Sequence, residues 1–273
     1  GESYGFAFGG ATSGTTIDYF PFASDTNAVD WGDLTTSRQR TMGQNSETHG
    51  YSTGGGTIEK WAFSSAGNAA QIGTCQFSKT SGGGQSSSTH GYYTANLIRE
   101  KFSFSTDGNS TDVADSSADL VGHGGCSSAT HGFSILGGFT ANIDKWAFAT
   151  DVIAVDHGDL DHVTYTPAGG SSLTHGYSMA GDGNPSGSVK LTTVNKFAFT
   201  SNTTATDVGD LGTGRGSDPA GASSHNHVYC MGGDNGNGIH RNEIEKVSTT
   251  TDGNATDVGD LTVARYGVEG NHT

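Results

Sequence analysis

The sequence predicts an all-β fold, a six-bladed β-propeller with four antiparallel strands in each blade. Two observations carry this prediction. A three-part motif recurs six times at nearly constant spacing, and the first residues of the chain continue the pattern after the last copy, as in a closed ring. Repeats of about 45 residues that hold four short extended segments are typical of propeller blades.

The repeat consists of three motifs in a fixed order. The first is Thr-His-Gly followed by an aromatic residue, as at Thr48–Tyr51, and the second is an aliphatic-x-Lys-aromatic-x-Phe run, as at Ile58–Phe63. The third is Val-Gly-Asp-Leu or a relative, as at Val208–Leu211. The Lys and Gly positions are 13 residues apart in all six copies, and the residue after that Gly precedes the next His by 16 or 17. Such regular spacing predicts six equivalent units.

The chain termini are predicted to meet in blade 1. Asp260 lies 13 residues before Thr273. If the count continues from Gly1, four more residues reach Tyr4, where Tyr4-Gly5-Phe6 matches the His-Gly-Tyr of other copies. The segment Ala264–Thr273 therefore supplies the inner strand that the first copy lacks. The single domain, 1–273, is divided into blades at 264–273 plus 1–34, 37–76, 78–116, 120–160, 162–211 and 214–261.

We label the strands of a blade A to D from the axis outward. Strand A is the Gly- and Ser-rich segment before Thr-His-Gly, such as 39–45, because only small side chains fit near the axis. Strand B follows Thr-His-Gly, and strand D ends in Gly-Asp-Leu. On strand C, Trp61 and Phe63 point one way and Ile58 points the other. Both faces are apolar, as a blade that packs between two blades requires.

Composition and charge limit the partners. Gly makes up 44 of 273 residues but Pro only 4, which argues against a collagen-like chain. The formal net charge is −15, so neither a nucleic acid nor an anionic membrane surface is an expected partner. No apolar stretch approaches the length of a membrane span, and membrane insertion is not expected.

The strand pattern resembles the kelch repeat. That repeat has a strand ending in Gly-Gly, here Tyr51–Gly55, and then an aromatic strand, here Trp61–Phe63. An outer strand followed by Arg comes next, here Asp33–Arg38, with Arg215 and Arg265 in the same place in other copies. The resemblance covers the whole chain and implies the propeller fold.

Two features qualify this resemblance. The Trp that kelch repeats carry on strand D is absent except for Trp31, and the blades are short. The amino-acid sequences of segments 251–265 and 86–92 are similar to those of kelch-like repeat proteins of marine bacteriophages. Because propellers host enzymes, binding modules and scaffolds, the resemblance implies a fold more strongly than a function.

The repeated histidines are predicted to be structural. They lie in equivalent positions, but blade 1 has Tyr4 instead, and equivalent positions in a propeller are too far apart to supply the four converging ligands of a zinc site. Each is expected to form the A–B turn and to bond to neighbouring backbone. The five histidines are His49, His90, His131, His175 and His227. No metal and no cofactor are expected.

Two further polar motifs have structural interpretations. The repeated Lys is expected to pair across strands C and D with the Asp that follows the Gly of strand D. Asp107-Gly108-Asn109 and Asp252-Gly253-Asn254 predict tight C–D turns, because these residues tolerate positive φ.

The three cysteines predict no disulfide. Cys75 takes the place of Leu34 and Leu211 in the repeat and is expected to be a small buried hydrophobic residue. Cys126 lies on a predicted inner strand and Cys230 on a strand B, too far apart to be bridged.

The repeat is irregular at one place, the connection between strands B and C. From the second residue of the Gly-Gly position to the Lys position the count is 9, 5, 5, 7, 15 and 13 in blades 1 to 6. Blades 5, 6 and 1 are neighbours on a closed ring, so their long loops are expected to form one patch. Rigid scaffolds carry function on variable loops, although neutral drift in exposed loops is an equally good explanation.

The patch defines the predicted ligand site. B–C loops and D–A connections share one face of a propeller, so the arginines of the D–A connections are expected to rim it and to bond acidic or hydroxylated sugars. The candidate ligand-binding residues are Asp182, Asn184, Lys190, Asp234, Asn235, Asn237, His240, Arg241, Arg215, Arg265, Thr12, Ser13 and Thr16.

Catalytic motifs are missing from the sequence. It has neither Gly-x-Ser-x-Gly nor His-Glu-x-x-His. Together with the uneven loops, this favours a non-enzymatic binding module. The resemblance to kelch-like repeat proteins of bacteriophages implies a place on a virion surface or otherwise outside the cell, as a tail-fibre or adhesin domain. Such a domain would recognise a cell-surface glycan or another host receptor and contact other virion proteins. One alternative is a structural virion decoration or spacer without a ligand. Another is a carbohydrate-active enzyme, since carboxylates are plentiful.

Overall fold

The computed structural model describes residues 3–119 and 121–273, which contain 24 β-strands and no helix. The strands form six sheets of four antiparallel strands arranged in a ring, which confirms the predicted six-bladed all-β propeller. Within these described ranges, no helix is long and apolar enough to cross a membrane. Residues 1 and 2, assigned to blade 1, and residue 120, assigned to the start of blade 4, lie outside the described residues.

Each blade runs from strand A at the axis to strand D at the rim. In that order, blade 1 contains β24 (Glu269–His272), β1 (Tyr4–Phe8), β2 (Thr16–Pro21) and β3 (Val29–Asp33); blade 2 contains β4 (Met42–Asn45), β5 (His49–Gly54), β6 (Thr57–Ala62) and β7 (Ala70–Thr74); blade 3 contains β8 (Gly83–Ser86), β9 (His90–Ala95), β10 (Ile98–Ser103) and β11 (Thr111–Asp115). Blade 4 contains β12 (Gly124–Ser127), β13 (His131–Ile135), β14 (Thr140–Ala147) and β15 (Val155–Thr164); blade 5 contains β16 (Ala168–Ser171), β17 (His175–Met179), β18 (Thr193–Ala198) and β19 (Thr206–Asp210); blade 6 contains β20 (Ala220–Ser223), β21 (His227–Met231), β22 (Glu243–Ser248) and β23 (Thr256–Asp260).

The two ends of the chain close the ring in blade 1, as predicted. Strand β24 pairs antiparallel with β1, and Phe6 lies opposite Asn271. One predicted boundary differs. Strand β15 runs to Thr164, so the division of blades 4 and 5 at residues 160–162 falls inside that strand.

A ring of six glycines surrounds the axis. They occupy the second position of every strand A: Gly43, Gly84, Gly125, Gly169, Gly221 and Gly270. A Cβ on any of them would lie well inside 3.0 Å of the carbonyl oxygen of the equivalent glycine in the preceding blade. The inner strands approach so closely that only glycine fits there.

Two residues further along strand A, side chains join the blades around the axis. The backbone N–H of Asn45 donates to the hydroxyl of Ser86, and the pattern continues from blade to blade at 2.8–3.0 Å as far as Ser223. The N–H of Ser223 then donates to Nδ1 of His272 at 3.3 Å. The Gly- and Ser-rich composition of strand A thus serves a series of contacts that runs from blade 2 around a central cavity of about 220 Å³ to blade 1.

The hydrophobic core lies between the blades. Trp61 and Phe63 pack with Phe6 of blade 1, whereas Ile58 packs with Tyr93 of blade 3, so the predicted two-faced strand C is confirmed. Between blades 3 and 4, Arg99 takes the aliphatic position and its guanidinium lies 4.4 Å from the ring centroid of Trp146.

The chain's cysteines lie in or beside this core. All three are in the described residues, and all are buried and free. Cys75 packs with Met42, Tyr51 and Ile58, as expected for a residue that replaces leucine.

Hydrogen bonds join neighbouring blades at the rim. The residue before each strand D donates its backbone N–H to a strand D residue of the preceding blade, the one that follows the Gly or Ala of the third motif, as Ala69 does to Asp33 at 2.8 Å. The same bond recurs at 2.7–3.1 Å at every junction, including Ala28 to Asp260 where the ring closes. The next blade therefore covers part of each outer edge.

The repeated lysines also join neighbouring blades, and the predicted pairing within a blade is wrong. Lys60 lies opposite Ala70 in the C–D register, so the end of strand D is out of its reach. The side chain instead reaches the C–D turn of the next blade, where Asp107 lies 2.5 Å away. Equivalent pairs are Lys101–Asp151, Lys196–Asp252 and Lys246–Asp25. The turn motif Asp-Gly-Asn therefore provides inter-blade contacts as well as a change of direction.

Candidate functional site

The B–C loops and D–A connections lie together on one face, as predicted, and we call it the loop face. Backbone bonds join the two kinds of segment: Gly181 donates to the carbonyl of Arg215 at 2.9 Å, and Gly233 donates to that of Arg265 at 3.0 Å. The long loops of blades 5 and 6 begin in the same way, because Asp182 and Asp234 each bridge to a D–A connection and to a residue of their own loop. The loops are thus held firmly on the scaffold.

A buried ion cluster anchors these two loops to each other. The ammonium group of Lys190 pairs with Asp182 and lies 3.9 Å from a carboxylate oxygen of Asp234. It is also 3.4 Å from the hydroxyl of Ser217. The side chains of Asp182 and Lys190 are each 8% exposed. These predicted ligand-binding residues are brought together by the fold, but their charged groups are directed to one another.

The same cluster interrupts a cyclic arrangement around the mouth of the central cavity. Six residues of left-handed conformation, one before each strand A, form what we call the mouth ring: Arg40, Ser81, Gly122, Thr166, Ser217 and Gly267. Five of their N–H groups donate to the carbonyl of the preceding member at 2.7–3.0 Å. The N–H of Ser217 donates to the carboxylate of Asp182 at 3.3 Å instead. The symmetry of the scaffold is broken between blades 5 and 6, under the longest loops.

The expectation that Arg215 and Arg265 rim the ligand surface is wrong. Both side chains are fully buried. Arg215 pairs with Glu245 on strand C of blade 6, and Arg265 pairs with Asp18 on strand C of blade 1 at 3.1 Å. The D–A connection passes over strand C of the next blade, so an arginine there points inward to a buried carboxylate.

The predicted asparagines shape the loops, and the tips remain exposed. The amide oxygen of Asn184 accepts the N–H groups of Ser188 and Val189 at 3.1 and 3.3 Å. The amide oxygen of Asn235 accepts the backbone N–H of Asn237 at 3.0 Å. Val189 is 46% exposed and Ile239 is 58% exposed. The surface offered to solvent therefore combines amides, hydroxyls and aliphatic groups.

The other predicted site residues occupy the edges of this patch. Arg241 pairs with Glu243 at 2.9 Å, and the ring of His240 packs against Tyr266 with centroids 4.8 Å apart. In the shorter loop of blade 1, Thr12 is exposed, whereas Ser13 and Thr16 are half-buried.

Several residues at the mouth were not predicted. Arg40 has a side chain that is 40% exposed, and its Nε lies 3.0 Å from the carboxylate of Asp218. Phe139 and Tyr165 stack with ring centroids 5.1 Å apart on the blade 4 side. Their signal in the sequence was departure from the repeat: arginine where other copies have Ser, Thr or Gly, and phenylalanine after the Gly-Gly pair of blade 4.

Burial raises the pKa of Asp218 to about 6, despite the opposing effect of Arg40. Asp182 raises this pKa further and Lys190 lowers it. Asp218 in turn adds to the rise in the pKa of Glu269, which is due mainly to burial. The carboxyl groups of Asp218 and Glu269 thus keep their protons to a higher pH in the folded protein than in the unfolded chain.

This difference predicts a pH-dependent stability. Between about pH 4 and pH 6 the folded state binds more protons than the unfolded chain, so the free energy of unfolding contributed by Asp218 falls as the pH rises through this window. Urea unfolding at intervals from pH 4 to pH 7 should show a smaller fall for Asp218→Asn than for wild type. The exposed Asp112→Asn serves as the control. Parallel curves for wild type and Asp218→Asn would contradict the prediction.

The repeated histidines lie on the opposite face and have local partners. In four blades, Nδ1 of the histidine is 2.8 Å from the hydroxyl of the preceding threonine, as in Thr48–His49. The histidine also forms the A–B turn and bonds to neighbouring backbone, as expected, because its carbonyl accepts the backbone N–H of the serine three residues earlier, as His49 does from Ser46 at 2.9 Å. Within the described residues, no group of three or more His, Cys, Asp or Glu side chains is arranged to hold a metal ion.

No protein-family model matches the chain, and no curated protein matches it.

Proposed function

We propose that this chain is a non-enzymatic binding module that recognises a cell-surface glycan through its loop face over blades 5, 6 and 1. The observation that carries the proposal is the firmly held pair of long loops at the break in the mouth ring. The repeated Lys, His and Arg residues already have structural partners. The exposed loop tips therefore remain available to a ligand. Their amide and hydroxyl groups are suited to hydrogen bonds with sugar hydroxyls.

We further propose a setting on a virion surface, in a tail-fibre or adhesin domain. This setting is supported by the similarity between the repeat sequence and the sequences of kelch-like repeat proteins of marine bacteriophages. In that setting the glycan belongs to the surface of a bacterial host, and other virion proteins hold the domain in place.

An array of purified bacterial lipopolysaccharides and capsular polysaccharides tests the proposal. We expect wild type to retain at least one of them, and the triple variant Val189→Ala, Asn237→Ala, Ile239→Ala to bind it about tenfold more weakly or worse, as for residues central to an interface. Substitution is preferable to trimming of Gly183–Leu191, because that deletion removes Lys190 and leaves Asp182 buried without its partner.

A variant of the opposite face provides the matched control. His90→Ala removes a partly exposed ring that bonds to Thr89, and it should bind like wild type. If His90→Ala lost binding while the triple variant kept it, the ligand site would lie on the histidine face and the proposal would be wrong. Release of reducing sugar from the retained polysaccharide would favour an enzyme instead, and the absence of any retained polysaccharide would favour a spacer.

A further inference from the structure

A strained aromatic residue stands on the loop face beside the proposed ligand patch. Phe139 adopts a left-handed backbone conformation, with φ of 60°. For a bulky side chain this conformation is unfavourable and normally left to glycine or asparagine. In the short loop of blade 2, Gly55 and Gly56 have positive φ, and in blade 3 Asn96 does. Phe139 is thus in a position where a residue without strain would serve the turn equally well.

Core packing does not account for this residue. Its ring is partly exposed and stacks on Tyr165, also partly exposed, with an interplanar angle of 24°. In the part of the chain that the structure describes, neither ring belongs to a hydrophobic core cluster. Strained residues that persist without a packing role are concentrated at binding sites.

The pair adjoins the long loop of blade 5. Tyr165 and Asp182 exchange backbone hydrogen bonds of 3.0 and 2.8 Å, so the aromatic pair and the loop form one surface. The charges of Asp218, Arg40 and Asp182 all act on the phenol of Tyr165, whose pKa is raised mainly by burial. Two near-parallel rings therefore stand next to polar groups at the mouth.

We infer that Phe139 and Tyr165 form a stacking platform for the apolar face of a sugar ring. The platform extends the proposed ligand patch from blade 5 onto blade 4, and the inference rests on the proposed function. The C–H groups of a pyranose face pack on an aromatic ring, while its hydroxyls are left free for polar neighbours. Because Tyr165 is bonded to Asp182 at the start of the blade 5 loop, the platform and that loop are offered to the same polysaccharide.

The variant Phe139→Gly separates binding from folding. It removes the ring and also the backbone strain, so its unfolding equilibrium constant should stay within about tenfold of wild type, because relief of strain offsets the lost stack. Its affinity for the polysaccharide best retained by wild type on the lipopolysaccharide and capsule array should fall about tenfold. Phe139→Tyr should bind like wild type, since the ring is kept.

Asn96→Gly is the matched control. It likewise introduces glycine at a left-handed position of a B–C loop on the same face, in blade 3, and should leave the affinity unchanged. Wild-type affinity in Phe139→Gly would overturn the platform while leaving the proposed function intact. A large loss of stability in Phe139→Gly would overturn it too, since the ring would then serve the fold. An array on which wild type retains no polysaccharide would overturn both.

Discussion

Replacement of Gly84 by alanine is expected to prevent stable folding or to lower the free energy of unfolding by more than about 3 kcal/mol. The new Cβ would meet the backbone of Gly43, with the carbonyl oxygen and carbon and the nitrogen all within 3.0 Å. Overpacking is tolerated when a flexible side chain can move, but here the obstacle is main chain fixed in strand β4. Relief would require the inner strands to move apart and would weaken the contacts around the axis.

Gly108→Ala is the matched control for this variant. Gly108 lies in the C–D turn of blade 3, where an added Cβ would have no atom within 4 Å. Both variants add one methyl group to a glycine, so intrinsic differences between Gly and Ala largely cancel. Urea unfolding followed by circular dichroism measures both free energies. Equal stabilities for Gly84→Ala and Gly108→Ala would show that the axis is looser than the structure implies.

The variant Arg265→Ala is expected to lose about 3–5 kcal/mol of stability, because it leaves a buried carboxylate without its cation. Arg265 and Asp18 are both fully buried, and the guanidinium also donates to the carbonyl of Ala7 at 3.1 Å. Burial raises the pKa of Asp18, and Arg265 opposes that rise. Without the arginine the carboxylate would have to take up a proton or unfold its surroundings.

Blade 5 suggests a rescue of this defect. There, Asn195 occupies the position of Asp18, and Thr164 occupies the position of Arg265. The double variant Asp18→Asn, Arg265→Thr reproduces that combination and should recover much of the lost stability. The partly exposed Arg241→Ala should cost no more than about 1 kcal/mol. A stable Arg265→Ala that has lost glycan binding would instead identify this arginine as a ligand contact.

The charged residues of the predicted site show where sequence reasoning stops. Loop length and strand direction placed Asp182, Lys190 and Asp234 correctly on one face. Their charges suggested a ligand, but the fold pairs them with one another in a buried cluster. Asp182 and Lys190 are only 8 residues apart, but Lys190 also contacts Ser217 and Asp234 of the next blade, and no local pattern contains that information.

Some of the tertiary pairing was nevertheless present in the repeat. The glycine of His-Gly lies opposite the aromatic residue of strand C, as Gly50 does opposite Trp61, and a Cβ there would strike the ring. In blade 6 both partners change together, to Val228 and Val247. A comparison of the copies by position would therefore have predicted this contact.

The sequence by itself determined the number of blades, their order and the closure of the ring, because each depends on spacing, and spacing is a property of the chain. It also determined which residues face the core, since alternation along a strand is local. Only the tertiary structure decided that lysines pair with the next blade, that the D–A arginines are buried, and that Phe139 and Tyr165 meet. The physical reason is that these contacts cross blade boundaries, where partners are set by the twist and spacing of neighbouring sheets rather than by distance along the chain.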